Sequence, residues 1–277
     1  MSIPRTFSDI PKIPLAIGLL LLISFAIFPP RPDTPKPHLY ADTIATIGSF
    51  PITNSLIMSW VTIALLIVIG ILITYRIRFV PHTLQNIGET IVESGLNFMT
   101  GILGSRRKAE QAFPLIATFF LFILLSNWLG LLPGVGSIDV VNQDGEAVHL
   151  FRSTYADLNM TLALAAISVV ATHFFAIRAI GKKAHLSKYI TFASPILFFV
   201  GILELFGELS KIISFSFRLF GNVFAGEVLL ISILGLLAYI APLPSYGLEI
   251  FVGFIQALVF SMLTLIFIQV ATTEAEH

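Results

Sequence analysis

Lys211-Ile212-Ile213-Ser214-Phe215-Ser216-Phe217-Arg218-Leu219-Phe220-Gly221-Asn222-Val223-Phe224-Ala225-Gly226-Glu227 sets an arginine in a mainly apolar stretch that offers it no obvious local partner. An arginine near the middle of a membrane costs about 2.5 kcal/mol or more on insertion scales, and it stays protonated because its pKa lies above ~12. Arg218 therefore marks a place where charge is handled. Spacing alone leaves two roles open: a structural cation paired with a carboxylate on another helix, or a cation held free to face a moving partner.

Placed on a helix at about 100° per residue, the polar groups sort into faces. With Arg218 at zero, Lys211 falls near ~20°, Glu204 and Asn222 near ~40°, Glu208 near ~80°, and Glu227 on the back at about 180°. Gly221, Ala225 and Gly226 carry little side chain, which lets another helix come close.

Working outward, Thr191 to Ile240 is mainly apolar. As one helix it would reach about 75 Å at ~1.5 Å per residue, against a hydrocarbon layer of about 30 Å, so it must tilt steeply, kink or break. Pro242 and Pro244 end it in an outer turn, and Gly247 to Ala271 return to a short acidic tail. The two segments make a long antiparallel hairpin. On the returning helix Glu249 and Gln256 lie within about 20° of each other, which points to a hydrated seam in an apolar helix.

The whole composition agrees with a membrane protein. The 277 residues are 56% hydrophobic and 12% charged, with a mean hydropathy of +0.92, far outside the range of a soluble domain. A net charge of +0 leaves no basic surplus for nucleic acid, and a cysteine count of 0 removes disulfides and thiolate metal sites. No catalytic triad, phosphate loop or metal motif is visible, and no cofactor is called for.

Upstream, Pro14 to Phe28 is a short apolar run preceded by Arg5 and Lys12, which fits either an uncleaved first helix or a removed signal. The absence of a small-x-small cleavage site before Phe28-Pro29-Pro30-Arg31-Pro32 favours the uncleaved helix, with its N-terminus inside. The prolines of residues 29–38 make a stiff, extended outer linker. Residues 56–75 form a span whose end Arg76 and Arg78 place in the cytoplasm. From Pro81 to Leu103, Leu84, Ile87, Ile91, Phe98 and Ile102 recur at helical spacing with Glu89 and Glu93 elsewhere, predicting an amphipathic helix at the inner membrane surface. Arg106, Arg107 and Lys108 follow. Phe113 to Leu132 runs outward to Pro133-Gly134, and the loop to Tyr155, with Asp139, Asp144 and Glu146, belongs outside. Asp157 stands as N-cap or first-turn acid of the returning span to Ile177, closed on the inner side by Arg178, Lys182, Lys183 and Lys188. Asn159-Met160-Thr161 matches a glycosylation sequon, but a helix entering a membrane is a poor acceptor. There is no inverted repeat of the kind many secondary transporters carry. The expected fold is all-α and polytopic, with about 5–6 transmembrane helices, one interfacial amphipathic helix and a long, tilted C-terminal hairpin. Residues 1–55 form the N-terminal segment and linker, and residues 56–277 the membrane domain.

The string Ser214-Phe215-Ser216-Phe217-Arg218-Leu219-Phe220-Gly221-Asn222-Val223-Phe224-Ala225-Gly226-Glu227 resembles the signature of subunit a of the F-type ATP synthase, the stator half of its proton motor. The bacterial form fits better than the mitochondrial one, which differs around Gly221 and Glu227. The likeness is strong from about Pro81 onward and weak before residue 55. It implies a multi-pass protein of a bacterial inner (plasma) membrane, without a catalytic site of its own, that offers two offset half-channels to a rotating c-ring. It also implies as partners the c-subunit ring, the subunit b peripheral stalk, the remaining ATP synthase subunits and membrane lipid, with protons or sodium ions as cargo. By the same likeness Arg218 faces the rotor carboxylate, favours its ionised form and stops direct leakage between the two paths. Glu227, Glu249 and Gln256 then line the outer path, and Glu204, Glu208 and Asn222 the inner one. One version of the family pattern has histidine where this chain has Glu249.

Plainer roles stand beside these. Glu208 and Lys211 could neutralise each other as an i,i+3 pair, and Asn222 could bond a neighbouring helix. His173 and His185, near the inner ends of their segments, read best as solvated interfacial residues. A self-contained carrier or channel, with Arg218 binding an anion, is disfavoured by the missing repeat and the single buried cation. An inert scaffold does not explain why polar residues align on the last two helices.

Overall fold

The computed structural model describes residues 40–75, 83–142, 145, 147–189, 194–236 and 242–273. The apolar run 14–28, the proline linker, Arg76, Arg78, Asp144, Glu146 and the acidic end of the tail fall outside the described residues.

Seven helices make up most of the described chain: α1 (Asn54–Thr74), α2 (Thr83–Leu103), α3 (Arg106–Gly130), α4 (Leu158–Ile180), α5 (Lys182–Tyr189), α6 (Pro195–Leu236) and α7 (Pro242–Thr273). The starts of α1 and α4 follow from their caps. Thr53 Oγ1 accepts from Leu56 N at 3.3 Å, and Asp157 Oδ1 accepts from Asn159 N at 2.9 Å, as its position before the apolar run predicts. Helices α1, α3, α4 and α7 are long and apolar enough to cross a membrane. The longest helix, α6, carries Glu204, Glu208, Lys211, Arg218 and Glu227, which interrupt its apolar run. It is continuous over 42 residues, so its excess over the hydrocarbon thickness is taken up by tilt or bend rather than by a break.

α6 and α7 form the expected hairpin, and α4 packs against both while α3 lies along α7. Their shared core is Phe119, Ile123, Tyr155, Leu164, Ala165, Phe215, Leu219, Ala257 and Phe260, with the Phe215 and Phe260 rings 4.9 Å apart. Small hydroxyls join the helices where hydrocarbon supplies no hydrophobic drive. Thr161 meets Ser216 at 2.9 Å and Ser168 meets Thr264 at 2.8 Å. Each such bond is worth about 0.6 kcal/mol in a membrane, so they fix register more than they add stability.

α2 seats Leu96, Met99 and Leu103 on Ala109, Ala112, Leu265 and Ile268. Its other apolar residues, Ile87 at 52% and Ile91 at 62% exposure, point away from the protein. Ile87, Ile91 and Phe98 of the stripe read from the sequence are thus open, as suits a helix lying on lipid, while Ile102 packs against the cluster.

Two short hairpins depart from a purely helical expectation, and both lie in connections at one end of the bundle. β1 (Thr43–Ile47) pairs with β2 (Phe50–Thr53); after β3 (Pro133–Gly136), β4 (Asp139–Val141) pairs with β5 (Ala147–His149). Asn54 ties them together, its Nδ2 donating to His149 O at 3.2 Å. The opposite end carries Arg106, Arg107, Lys108, Arg178, Lys182, Lys183 and Lys188. By the positive-inside rule that basic end is cytoplasmic and the hairpins are outside. Single cysteines introduced into this cysteine-free chain are expected to react with a membrane-impermeant maleimide from the inner side at positions 107 and 183, and from the outer side at 141. Outer labelling at 107 or 183 reverses the orientation.

Candidate functional site

Arg218 sits midway along α6 and is exposed. Phe215, Ser216, Leu219 and Phe220 turn inward, while Gly207, Ser210, Ser214, Phe217, Gly221 and Ala225 are exposed on the same flank as Arg218. Among the described residues Arg218 has neither an ion pair nor a hydrogen bond. The role of a structural cation paired within this chain is therefore not what the structure shows. A permanent charge stands on an apolar helix flank whose small residues leave room for another helix.

A cavity of about 1150 Å³ opens at the hairpin end between α6, α7 and the outer connections. Asn222, Glu227 and Glu249 line it, with Arg152, Tyr40 and Asp42 around its mouth. Arg152 Nη2 lies 3.4 Å from Glu227 Oε2, and its Nη1 donates to Tyr40 O at 2.5 Å, so the cation is held by backbone as it meets the acid. Glu249 reaches the same place from α7. A Cβ placed on Gly226 would stand 2.5 Å from Glu249 Oε1, so the glycine is what lets this carboxyl tuck against α6 beside Glu227. Glu249 Oε1 is buried with no hydrogen-bond partner among the described residues. Gln256, two turns further along α7, is 8% exposed, and its Nε2 is likewise unpartnered there.

A second cavity, about 500 Å³, lies at the basic end. α4 contributes His173, α5 contributes His185, Lys188 and Tyr189, and α6 contributes Glu204, Glu208 and Lys211; Phe267 and Val270 of α7 close it. Lys188 Nζ is 2.6 Å from Glu204 Oε1, and Lys211 Nζ is 2.8 Å from Glu208 Oε1. Tyr189 Oη donates to Glu208 Oε1 at 3.4 Å. Burial, then the nearby Glu208 charge, pushes the Tyr189 hydroxyl up to about 12. Burial, reinforced by His173 and Lys188, holds the His185 imidazole below its usual range. Gly201 lies against the Tyr189 carbonyl, leaving no room for a side chain and sealing the start of α6 onto α5.

A family model described as ATP synthase A chain matches residues 56–269. The chain belongs to the ATP synthase A chain family. It is similar to the ATP synthase subunit a of Campylobacter jejuni, 36% identical over 213 residues that cover 76% of this chain and 86% of that protein. The ATP synthase subunit a 3 of Pelobacter propionicus is 36% identical over 219 residues, 78% of this chain and 86% of that one. The subunit a of Syntrophobacter fumaroxidans is 36% identical over 228 residues, covering 80% and 85%. Membership makes the chain a multi-pass protein of a bacterial plasma membrane and part of the proton-translocating membrane sector of an F-type ATP synthase.

Within this member of the family, the structure brings together some of the residues singled out by sequence. Glu227 and Glu249 share the outer cavity, and Glu204 and Glu208 share the inner one. Asn222 was expected beside Glu204 and Glu208 but lies on the outer cavity wall. A helical wheel gives angle and not height, and the fourteen residues from Glu208 to Asn222 rise about 21 Å. His173 and His185, expected to be solvated at the interface, instead form the wall of the inner cavity, with His185 only 9% exposed. Arg152, which no motif marks, and Lys188, read from sequence as one of the basic residues closing a span on the inner side, turn out to be the partners of Glu227 and Glu204. Opposite charge at the ends of apolar spans was the available signal, but nothing in the sequence pairs one end with another.

Proposed function

We propose that this chain is the stator of the synthase's proton path, presenting two offset half-channels to a ring of small c subunits. A proton enters from outside through the cavity of Glu227 and Glu249, passes Asn222 and Gln256, and neutralises a rotor carboxylate. After the ring turns, it leaves through the cavity of Glu204 and Glu208. Arg218 stands between the two paths, holds the facing rotor carboxylate ionised and blocks a direct leak. Each proton crossing 100 mV delivers about 2.3 kcal/mol to the rotor. Residues 56–277 form the membrane domain that does this, residues 1–55 precede it, and a peripheral stalk containing subunit b anchors it.

One arrangement carries this proposal. Polar cavities open at opposite ends of α6, and an unpaired arginine lies between them on a flank lined by Gly221, Ala225 and Ser214. Arg218 is about 15 Å along the helix from Glu208 and about 13 Å from Glu227, too far for direct transfer to either. Two experiments test it. Cysteines at Ser214 and Gly221 are expected to cross-link, in native membranes, to a small hairpin proteolipid that copurifies with the chain. The chain reconstituted alone is expected to conduct no protons, whereas an independent carrier that uses Arg218 would transport unaided.

A further inference from the structure

The inner cavity holds a feature that the stator mechanism above leaves unused. His173 Nδ1 lies 3.2 Å from His185 Nε2, joining α4 to α5, and on its other side His173 Nε2 faces Glu208 Oε2 at 3.8 Å. That carboxylate oxygen is buried and has no hydrogen-bond partner among the described residues, although the other oxygen of the same group takes both Lys211 and Tyr189. Glu208 thus keeps one face free, and the face is turned toward an imidazole.

We propose that His173 and His185 form a two-imidazole proton relay that carries the translocated ion between Glu208 and the aqueous mouth at the basic end. It rests on the assignment of Glu204 and Glu208 to the inner path. Two imidazoles sharing a hydrogen bond need one N–H and one lone pair between them, so the pair holds a single excess proton and cannot hold two while the bond lasts. The acid proton of Glu208 forms a bond to His173 Nε2, the Nδ1 proton of His173 passes to His185 Nε2, and the second ring nitrogen of His185 releases its proton to water. Exchange of both rings with cavity water restores the starting tautomers.

The surrounding charges suit transient loading. Facing the pair are Lys188 and Tyr189 of α5 and Glu204, Glu208 and Lys211 of α6, while α7 offers the uncharged Phe267, Val270 and Ala271. The two lysines and two glutamates carry equal and opposite formal charge, so a proton visiting the pair is the one uncompensated charge. Burial and the Lys188 charge hold His185 below its usual range, which favours release at cytoplasmic pH over retention.

The test uses the intact complex in inverted vesicles, where the basic end faces the medium. His173→Gln and His185→Gln keep a hydrogen-bonding side chain and remove titration. Each is expected to slow proton-driven ATP synthesis about tenfold, below the full worth of a general acid or base because parallel water remains, and to flatten its dependence on medium pH between about 6 and 9. In His185→Gly, added imidazole is expected to restore most of the rate, which a merely structural clip would not allow. Unchanged rates and pH profiles in the glutamine variants overturn the relay, as does an assembled His185→Gly complex that imidazole fails to rescue. Glu208→Gln separates the two levels: normal flux there removes the inner path itself, whereas reduced flux beside normal histidine variants removes the relay alone.

Discussion

Arg218→Lys is expected to cut ATP-driven proton pumping by more than about a hundredfold while the complex still assembles and hydrolyses ATP. Assembly survives because the side chain is exposed and, among the described residues, makes neither an ion pair nor a hydrogen bond. Pumping fails because lysine keeps the charge but not its form. Opposite charges at ~4 Å with an effective dielectric of ~20 attract by about 4 kcal/mol, and a retreat to ~6 Å loses about 1.4 kcal/mol of that. Losing the second N–H contact of the planar fork costs about 1.5–3 kcal/mol more for a hydrogen bond to a charged group. Lysine also gives up its proton readily when desolvated, which opens the leak that arginine closes. Pumping measured by fluorescence quenching, alongside ATP hydrolysis, decides it; near-normal pumping would remove Arg218 from the mechanism.

What could be read from the chain beforehand follows a physical division. Features carried by one helix were legible: the membrane spans, the cap at Asp157, the basic inner end, and Arg218 as a charge in an apolar run. Features that depend on how helices meet were not. The short helix α5 folds back so that His185 reaches His173 on α4, and periodicity within an eight-residue helix cannot foretell that. Arg152 lies 75 positions before Glu227 in a stretch with no periodic pattern. The outer hairpins rest on residues such as Asn54, which pairs across 95 positions with His149. Gly226 was legible as a small residue, yet its purpose appears only when Glu249 is seen to fill the space a Cβ would take.

That space leads to the second large effect. Glu227 lies nine residues before the end of α6 at Leu236, and Glu249 seven after the start of α7 at Pro242, so the antiparallel pair brings the two acids to nearly the same height. The approach of Glu249 to Gly226 closes the gap between the helices. With both carboxyls on one cavity wall, either can receive a proton from water and pass it on, and loss of one leaves the other to serve. Glu227→Gln keeps an acceptor for Arg152, and Glu249→Gln keeps the volume against Gly226, so neither should disturb assembly. Each single change is expected to slow passive flux and pumping about threefold. Independent effects would then multiply to about ninefold, and a coupling of about 1 kcal/mol between residues in contact raises the double loss to about fiftyfold. Flux in vesicles from both singles and the double supplies the cycle. A ninefold loss in the double would mean that the two acids act on separate paths, and that proximity across Gly226 is packing alone.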